Sequence, residues 1–348
     1  MNFVEKRKER VGSEAVGALR AEAAGPAEPK RGWVKRHYAW IGTCASLLLL
    51  AASAVVLWKL SEEITWAKLS AALTGVGGMQ LAVAFGFVAI SYFFLTFYDA
   101  LALKQLKLKV PYRITALASF TSYAVSFTLG FPLFTAGTIR YWVYSSRGLS
   151  TAKIAALTVI AGFTFWLGMG VVLGLSLVVE AGQLAGLAFT SIRVNQGVGV
   201  AALFSVVGYL IWVSIKRRYI TVKHWRLELP GATVSFSQML VGIGDVCAAA
   251  AVLYVLMPPE LTLGFSTFVA IYVLAAMLGI ASNVPGGAGV FEATIMLAMS
   301  SLPRGEVLGS LLLFRVCYYL VPFLVALAML GIYEAGKRLR RRRAANDP

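Results

Sequence analysis

Uninterrupted apolar stretches constrain this chain more than any other feature. Residues 40–58, 79–98, 151–179, 198–215, 236–256, 265–282 and 306–333 are each nearly free of charge. Each is long enough, or almost long enough, to span a bilayer as a helix, which takes about 18–20 apolar residues. Of the 348 residues, 59% are hydrophobic and 14% charged. A soluble domain of that size could not bury so much apolar surface. Within hydrocarbon every backbone polar group must be satisfied internally, which favours helices for stretches of this length. The expected fold class is therefore an all-α polytopic integral membrane protein.

The charge is concentrated at the ends. Nine Lys and Arg residues fall in 1–37 and six in 337–348, against a formal net charge of +16. Both clusters flank apolar stretches, where the positive-inside rule places them in the cytoplasm. They suit the anionic lipids of an inner leaflet. No nucleic-acid-binding motif accompanies them, so nucleic acid is not an expected partner. The expected organisation is a disordered basic cytoplasmic tail over 1–37, a transmembrane domain over 38–336 and a second basic tail over 337–348. The segment 40–58 reads as a retained first helix, because its polar leader is too long for an ordinary signal peptide. Cys44, Cys247 and Cys317 are odd in number and lie in apolar stretches, so no disulfide framework is expected. His37 and His224 are the only histidines, which excludes a histidine-rich metal site. No cofactor is expected.

Basic residues also set the topology. With a cytoplasmic N-terminus, 40–58 leads out and 79–98 returns, and Lys104, Lys107, Lys109 and Arg113 fall inside. If 114–131 then crossed fully, Arg147 and the basic run "KRRYITVKHWR" at 216–226 would lie outside. A re-entrant hairpin over 114–139, bent at Gly130 and Pro132, removes that conflict. The segment 287–301 must then cross, so that 306–333 delivers the basic tail to the cytoplasm. The expectation is eight crossings and one re-entrant hairpin.

A second irregularity is "SNVPGGAGVFEATIM" at 282–296. Pro285, Gly286, Gly287 and Gly289 break an apolar run, and Glu292 follows three residues later. Non-helical backbone at membrane depth is tolerated only where protein buries it or a water-filled cavity borders it. Several ionisable residues lie within or beside the apolar stretches. Asp99 ends the second, Arg140 closes the hairpin, Asp245 is central in 236–256, and Arg315 is well inside 306–333. A charge at the centre of a membrane helix costs about 2.5–3.5 kcal/mol on insertion scales, which marks it as a functional candidate. The competing reading is a structural ion pair, with Asp245 or Glu292 matched to Arg315.

Spacing points to a lined cavity. Ser235, Gln238, Gly242 and Asp245 share one helical face, as do Thr115, Ser119, Ser122, Ser126 and Gly130. Arg315, Tyr319 and Pro322 share a third. Tight packing of small residues accounts equally well for the serines and glycines, but not for Asp245 or Arg315. No nucleophile–base–orienter set, phosphate loop or metal-ligand spacing is present.

The stretches "FYDALALKQLKLKV", "TAGTIRYWVY", "VPGGAGVFE" and "FRVCYYLVP" resemble, in order, the membrane region of the bifunctional lysylphosphatidylglycerol synthase/flippase family. The resemblance runs from about residue 40 to 335. In that family a soluble domain attaches an aminoacyl group, usually lysyl, to phosphatidylglycerol, and the membrane region moves the product to the outer leaflet. Motif by motif, the resemblance implies roles for Asp99, Arg140, Asp245 (where family members often have Glu), Glu292 (where some have Asp) and Arg315. It also implies that this chain, lacking the synthase domain, does not make the lipid by the family's route.

The function expected on these grounds is translocation of a phospholipid between leaflets of the cytoplasmic membrane, not enzymatic catalysis. Asp99, Asp245 and Glu292 would accommodate a cationic headgroup such as an aminoacyl amine. Arg140 or Arg315 would hold the phosphate, with Tyr319 beside them. Two alternatives stand: a non-transporting membrane partner of an envelope-lipid enzyme, and an integral membrane lipid transferase. A homo-oligomer and a partner enzyme both stay open.

Overall fold

A computed structural model describes residues 72, 75–188, 191–215, 219–222, 225–228, 230–282 and 287–346. The expectations for the tail over 1–37, the helix at 40–58, and Pro285 and Gly286 lie outside the described residues. Eleven α-helices are described. They are α1 (Gly78–Gln105), α2 (Tyr112–Leu129), α3 (Pro132–Ser145), α4 (Thr151–Val179), α5 (Ala181–Ala188), α6 (Ile192–Ile215), α7 (Ala232–Leu256), α8 (Phe265–Ala281), α9 (Val290–Ala298), α10 (Arg304–Phe314) and α11 (Val321–Asn346). A π-helical segment, Arg315–Leu320, joins α10 to α11 without a break. Between α6 and α7, β1 (Tyr219–Val222) pairs antiparallel with β2 (Trp225–Glu228), Tyr219 opposite Glu228. The basic run at 216–226 thus carries part of a short ribbon. The second basic cluster continues α11 as far as Asn346.

Among the described residues, five helices are long and apolar enough to cross a membrane: α1, α4, α6, α7 and the continuous 304–339 helix. The protein is a multi-pass membrane protein. α1, α4 and α7 pack against one another at the centre. Hydrophobic burial cannot drive helices together in lipid, so close approach depends on small residues. At the α4–α7 crossing, a Cβ on Gly168 would sit 2.3 Å from the Gly242 carbonyl carbon. At the α4–α6 crossing, a Cβ on Gly199 would sit 2.8 Å from the Gly174 carbonyl oxygen. The outer face of α6 is apolar and exposed at Phe204, Val207 and Ile211, as a lipid-facing surface must be.

Two helix–break–helix units pack on this centre. α2 and α3 fold against each other around Gly130 and Phe131, at φ 79° and 49°. The left-handed conformation is natural for glycine and costs a bulky residue such as Phe about 1–3 kcal/mol. Pro132 follows at the first turn of α3, where its missing N–H is no loss. Thr135 Oγ1 donates to the Gly130 carbonyl at 2.9 Å, satisfying one group that the break frees.

The second unit is α8, the break and α9. Gly287 and Gly289 take φ 64° and 83°. The Gly287 backbone passes so close to α8 that a Cβ on it would meet Gly279 Cα at 3.2 Å. Here the sequence expectation needs correcting. The segment 287–301 does not form a crossing helix: α9 has nine residues, about 14 Å at 1.5 Å per residue, less than half of a hydrocarbon core of roughly 30 Å. α3, with 14 residues, reaches about 21 Å and is likewise too short to cross alone.

Candidate functional site

Each short arm is tied to a neighbouring helix by an arginine–carboxylate pair. Asp99, fully buried on α1, accepts from Arg140 of α3: Nη2 donates to Oδ1 at 2.7 Å, and Nε contacts both oxygens at 3.0 and 3.1 Å. Tyr144, one turn beyond Arg140, donates to Asp99 Oδ2 at 2.9 Å. The Arg140 guanidinium also lies 5.0 Å from the Tyr123 ring centroid, within cation–π range. In the second unit, Arg315 Nε donates to Glu292 Oε1 at 2.6 Å. Glu292 Oε2 accepts from the Gly289 N–H at 2.7 Å. The acid beside the glycine break is therefore engaged twice, capping its own helix and clasping the π-helical segment. Its pair with Arg315 is the structural pairing that the sequence left open, and Asp245 is not part of it.

Asp245 has a different environment. It is 1% exposed. Ser91 Oγ donates to Oδ1 at 2.6 Å and Tyr98 OH to Oδ2 at 2.8 Å, both from α1. Ser91 and Tyr98 are seven residues apart, two helical turns, and so present the same face. Behind them, Ser91 Oγ and Tyr318 OH are 2.8 Å apart, and Tyr92 OH donates to the Tyr318 carbonyl at 3.1 Å. No arginine, lysine or histidine among the described residues pairs with Asp245.

A cavity of about 610 Å³ opens between the two breaks. Gly130 and Phe131 border it from one unit, and Gly287 and Phe291 from the other, with Arg140 and Asp245 supplying the charged groups. Aromatic rings form much of the remaining wall. Tyr318 stacks on Phe314 at 5.2 Å and 9°, and on Phe127 at 6.2 Å and 21°. Of the residues expected from sequence, Arg140, Asp245, Tyr319 and Gly287 border this cavity. Asp99, Glu292 and Arg315 stand behind it as partners in the two pairs, and Gly289 serves the α9 cap.

The polar stripes divide. Ser126, Gly130 and Asp245 reach the cavity. Ser119 donates to the Leu95 carbonyl at 2.6 Å, and Gln238 Nε2 lies 3.4 Å from Gln105 Oε1, both across packed helices. The expected shared face of Arg315, Tyr319 and Pro322 is altered by the π-helical turn, which brings both Tyr318 and Tyr319 to the cavity. The sequence reading missed Ser91, Tyr98, Tyr144 and Tyr318. Their one available signal was the spacing of Ser91 to Tyr98 and of Arg140 to Tyr144, polar groups repeated on one face of an apolar helix.

The bundle and its cavity define a class: multi-pass helical membrane proteins with a largely apolar cavity between broken helices, carrying a few polar and charged groups in its wall. Within it, the chain belongs to the family described as the lysylphosphatidylglycerol synthase TM region, whose model matches residues 45–326. The Synechocystis protein slr0712 is 33% identical over 304 residues, covering 87% of this chain and 93% of that one. The inner membrane protein YbhN of Escherichia coli is 26% identical over 321 residues, 91% of this chain and 98% of that one. A phosphatidylglycerol lysyltransferase of Staphylococcus haemolyticus is 27% identical over 252 residues, 71% of this chain but 28% of that much longer protein.

Proposed function

We propose that this protein is a phospholipid translocase of the cytoplasmic membrane, moving a lipid with a cationic headgroup, such as an aminoacylated phosphatidylglycerol, between leaflets. The observation that carries the reading is the cavity between two helix breaks, whose described wall holds a guanidinium and a carboxylate. Broken helices meeting at a polar site are a recurrent arrangement in transporters. The headgroup enters the cavity while its acyl tails stay in the bilayer. Asp99 takes the Arg140 Nε–H and one Nη2–H, and Arg140 borders the cavity, where N–H groups not engaged by Asp99 would meet a phosphate. Asp245 receives the amine. The relationship to a phosphatidylglycerol lysyltransferase and to an inner membrane protein supports both the lipid class and the location.

Both breaks belong to re-entrant hairpins in this reading, α2–α3 entering from the cytoplasm and α8–α9 from outside. With a first crossing at 40–58, the five spanning helices then make six crossings, and both termini face the cytoplasm. The cavity is thereby bordered by elements from both faces, as passage between leaflets requires. The topology is checked by single-cysteine labelling. Arg147→Cys, in a background without the native cysteines, should resist an impermeant thiol reagent added outside intact cells. Strong external labelling would remove the cytoplasmic hairpin.

Transport is tested by reconstituting the purified chain in liposomes with lysyl-phosphatidylglycerol and following exposure of its amine to an impermeant reagent. Transfer should be fast compared with protein-free vesicles. Gly162 borders the cavity, and a Cβ on it would meet nothing within 4 Å. Gly162→Leu should therefore narrow the cavity, keep the melting temperature near that of the parent and sharply reduce transfer. Full transfer by a folded Gly162→Leu protein would move the lipid path elsewhere.

A further inference from the structure

Asp99 and Glu292 each have an arginine, whereas Asp245, as enclosed as Asp99, has only hydroxyl donors among the described residues. An uncompensated charge in a buried site is strongly unfavourable. Hydrogen bonds from Ser91 and Tyr98 orient the carboxylate without cancelling its charge. The site is balanced when a cation occupies it, and two cations fit: an ammonium from a lipid headgroup, or a proton.

We propose that Asp245 exchanges a proton for the cationic headgroup, so that outward movement of one lipid is coupled to inward movement of one proton. The proposal rests on the translocase reading and adds its energy source. With the cavity empty, Asp245 holds the proton. When the ammonium docks from the cytoplasmic side, that proton leaves for water on the same side. When the lipid departs outside, Asp245 takes a proton from that side and carries it back. No covalent bond other than the O–H is made or broken, and Asp245 is balanced at every transit.

The surroundings fit this role. Around Asp245 stand Tyr92 and Tyr98 of α1, Tyr123 of α2, Tyr272 of α8, Tyr318 of the π-helical segment and Cys247 of α7 itself. From α4, Trp166 and Met169 border the same cavity without charge. The other charge that the described residues place in the cavity wall, Arg140 of α3, is matched by Asp99. Among the described residues, nothing fixed in the wall therefore substitutes for the mobile cation. A route for the proton is present as well. Asp245 Oδ1, Ser91 Oγ and Tyr318 OH form a chain with steps of 2.6 and 2.8 Å. Tyr318 borders the cavity. Either hydroxyl can donate, so the chain can reverse its polarity and pass a proton between Asp245 and the cavity.

The binding half of the test needs no transport and no variant. The full chain in phosphatidylcholine nanodiscs, in weakly buffered solution, is mixed with lysyl-phosphatidylglycerol. One proton should be released per lipid bound, and the infrared band of a protonated carboxyl should disappear. Phosphatidylglycerol, which lacks the amine, should release none. Asp245→Asn should lose the infrared change, and Asp245→Glu should restore it. In proteoliposomes containing lysyl-phosphatidylglycerol, the proton gradient is directed from the face corresponding to the cell exterior. One pH unit should change the final leaflet ratio about tenfold, and a protonophore should abolish that change. Lipid binding without proton release overturns the exchange. Wild-type transfer that ignores both gradient and protonophore also overturns it while leaving the translocase standing. Proton release with no transfer in any condition overturns the coupling and the translocase together.

Discussion

Replacing Arg140 with Gln should cost about 3–5 kcal/mol of stability, because it strands a buried carboxylate. Asp99 has no exposed surface and Arg140 only 2%. Once the guanidinium is gone, Asp99 keeps the Tyr144 hydroxyl as a donor and no cation. The expected result is a large fall in melting temperature and in yield from the membrane. Asp99→Asn should be damaging for the mirror-image reason. The double variant should recover part of what either single loses, since neither charge is then left alone. Thermal unfolding of all four proteins in one detergent checks this, and a double variant no better than the worse single would show that the two side chains are not energetically coupled. The second pair supplies a graded comparison. Arg315 and Glu292 side chains are 14% and 17% exposed, and Glu292 retains the Gly289 N–H. Arg315→Gln should therefore cost clearly less than Arg140→Gln.

Gly168→Ala is the other change with a large expected effect, though it adds a single methyl. The new Cβ would lie 2.3 to 2.6 Å from the Gly242 carbonyl carbon, Cα and oxygen. These are backbone atoms in the middle of a helix and cannot rotate away. α4 and α7 must separate, and α7 carries Asp245. Overpacking of this kind costs about 1–3 kcal/mol and occasionally more, against a gain of about 1 kcal/mol from alanine's better helix propensity. Steric cost should win, and lipid transfer should fall with stability. Gly162→Ala, on the same helix with open space at its Cβ, is the control and should be neutral or stabilising. Equal stability of the two alanine variants would mean that the α4–α7 crossing is not as close as described.

The membrane class and both backbone breaks were legible in the sequence because each rests on local information: apolar run length, and Gly or Pro interrupting it. Arg140 and Asp245 were legible as candidates because charge in an apolar run is conspicuous. Their partners were not. Pairing is a property of crossing helices, and periodicity on one helix says nothing of which face another presents to it. Arg315 could thus be offered Asp245 or Glu292 on equal terms, and Tyr98 or Tyr318 looked like any other aromatic in an apolar helix. The length of α9 escaped for a related reason. Charge parity along the chain is the same whether α8 and α9 make two crossings or one hairpin, so only the nine-residue helix itself separates the cases.

The π-helical turn at Arg315–Leu320 also sets a rotational phase. One residue more or fewer in a helix turns everything beyond it by about 100°, the angle per residue of an α-helix. Because the turn accommodates the extra residue, Arg315 can face Glu292 while Tyr318, three positions later, still reaches Ser91. Deleting one residue inside the turn would restore regular α-helical hydrogen bonding and strengthen the helix locally. The same deletion would swing the groups on either side of it out of alignment. Local helix stability and the geometry of the cavity wall are therefore in opposition over these six residues.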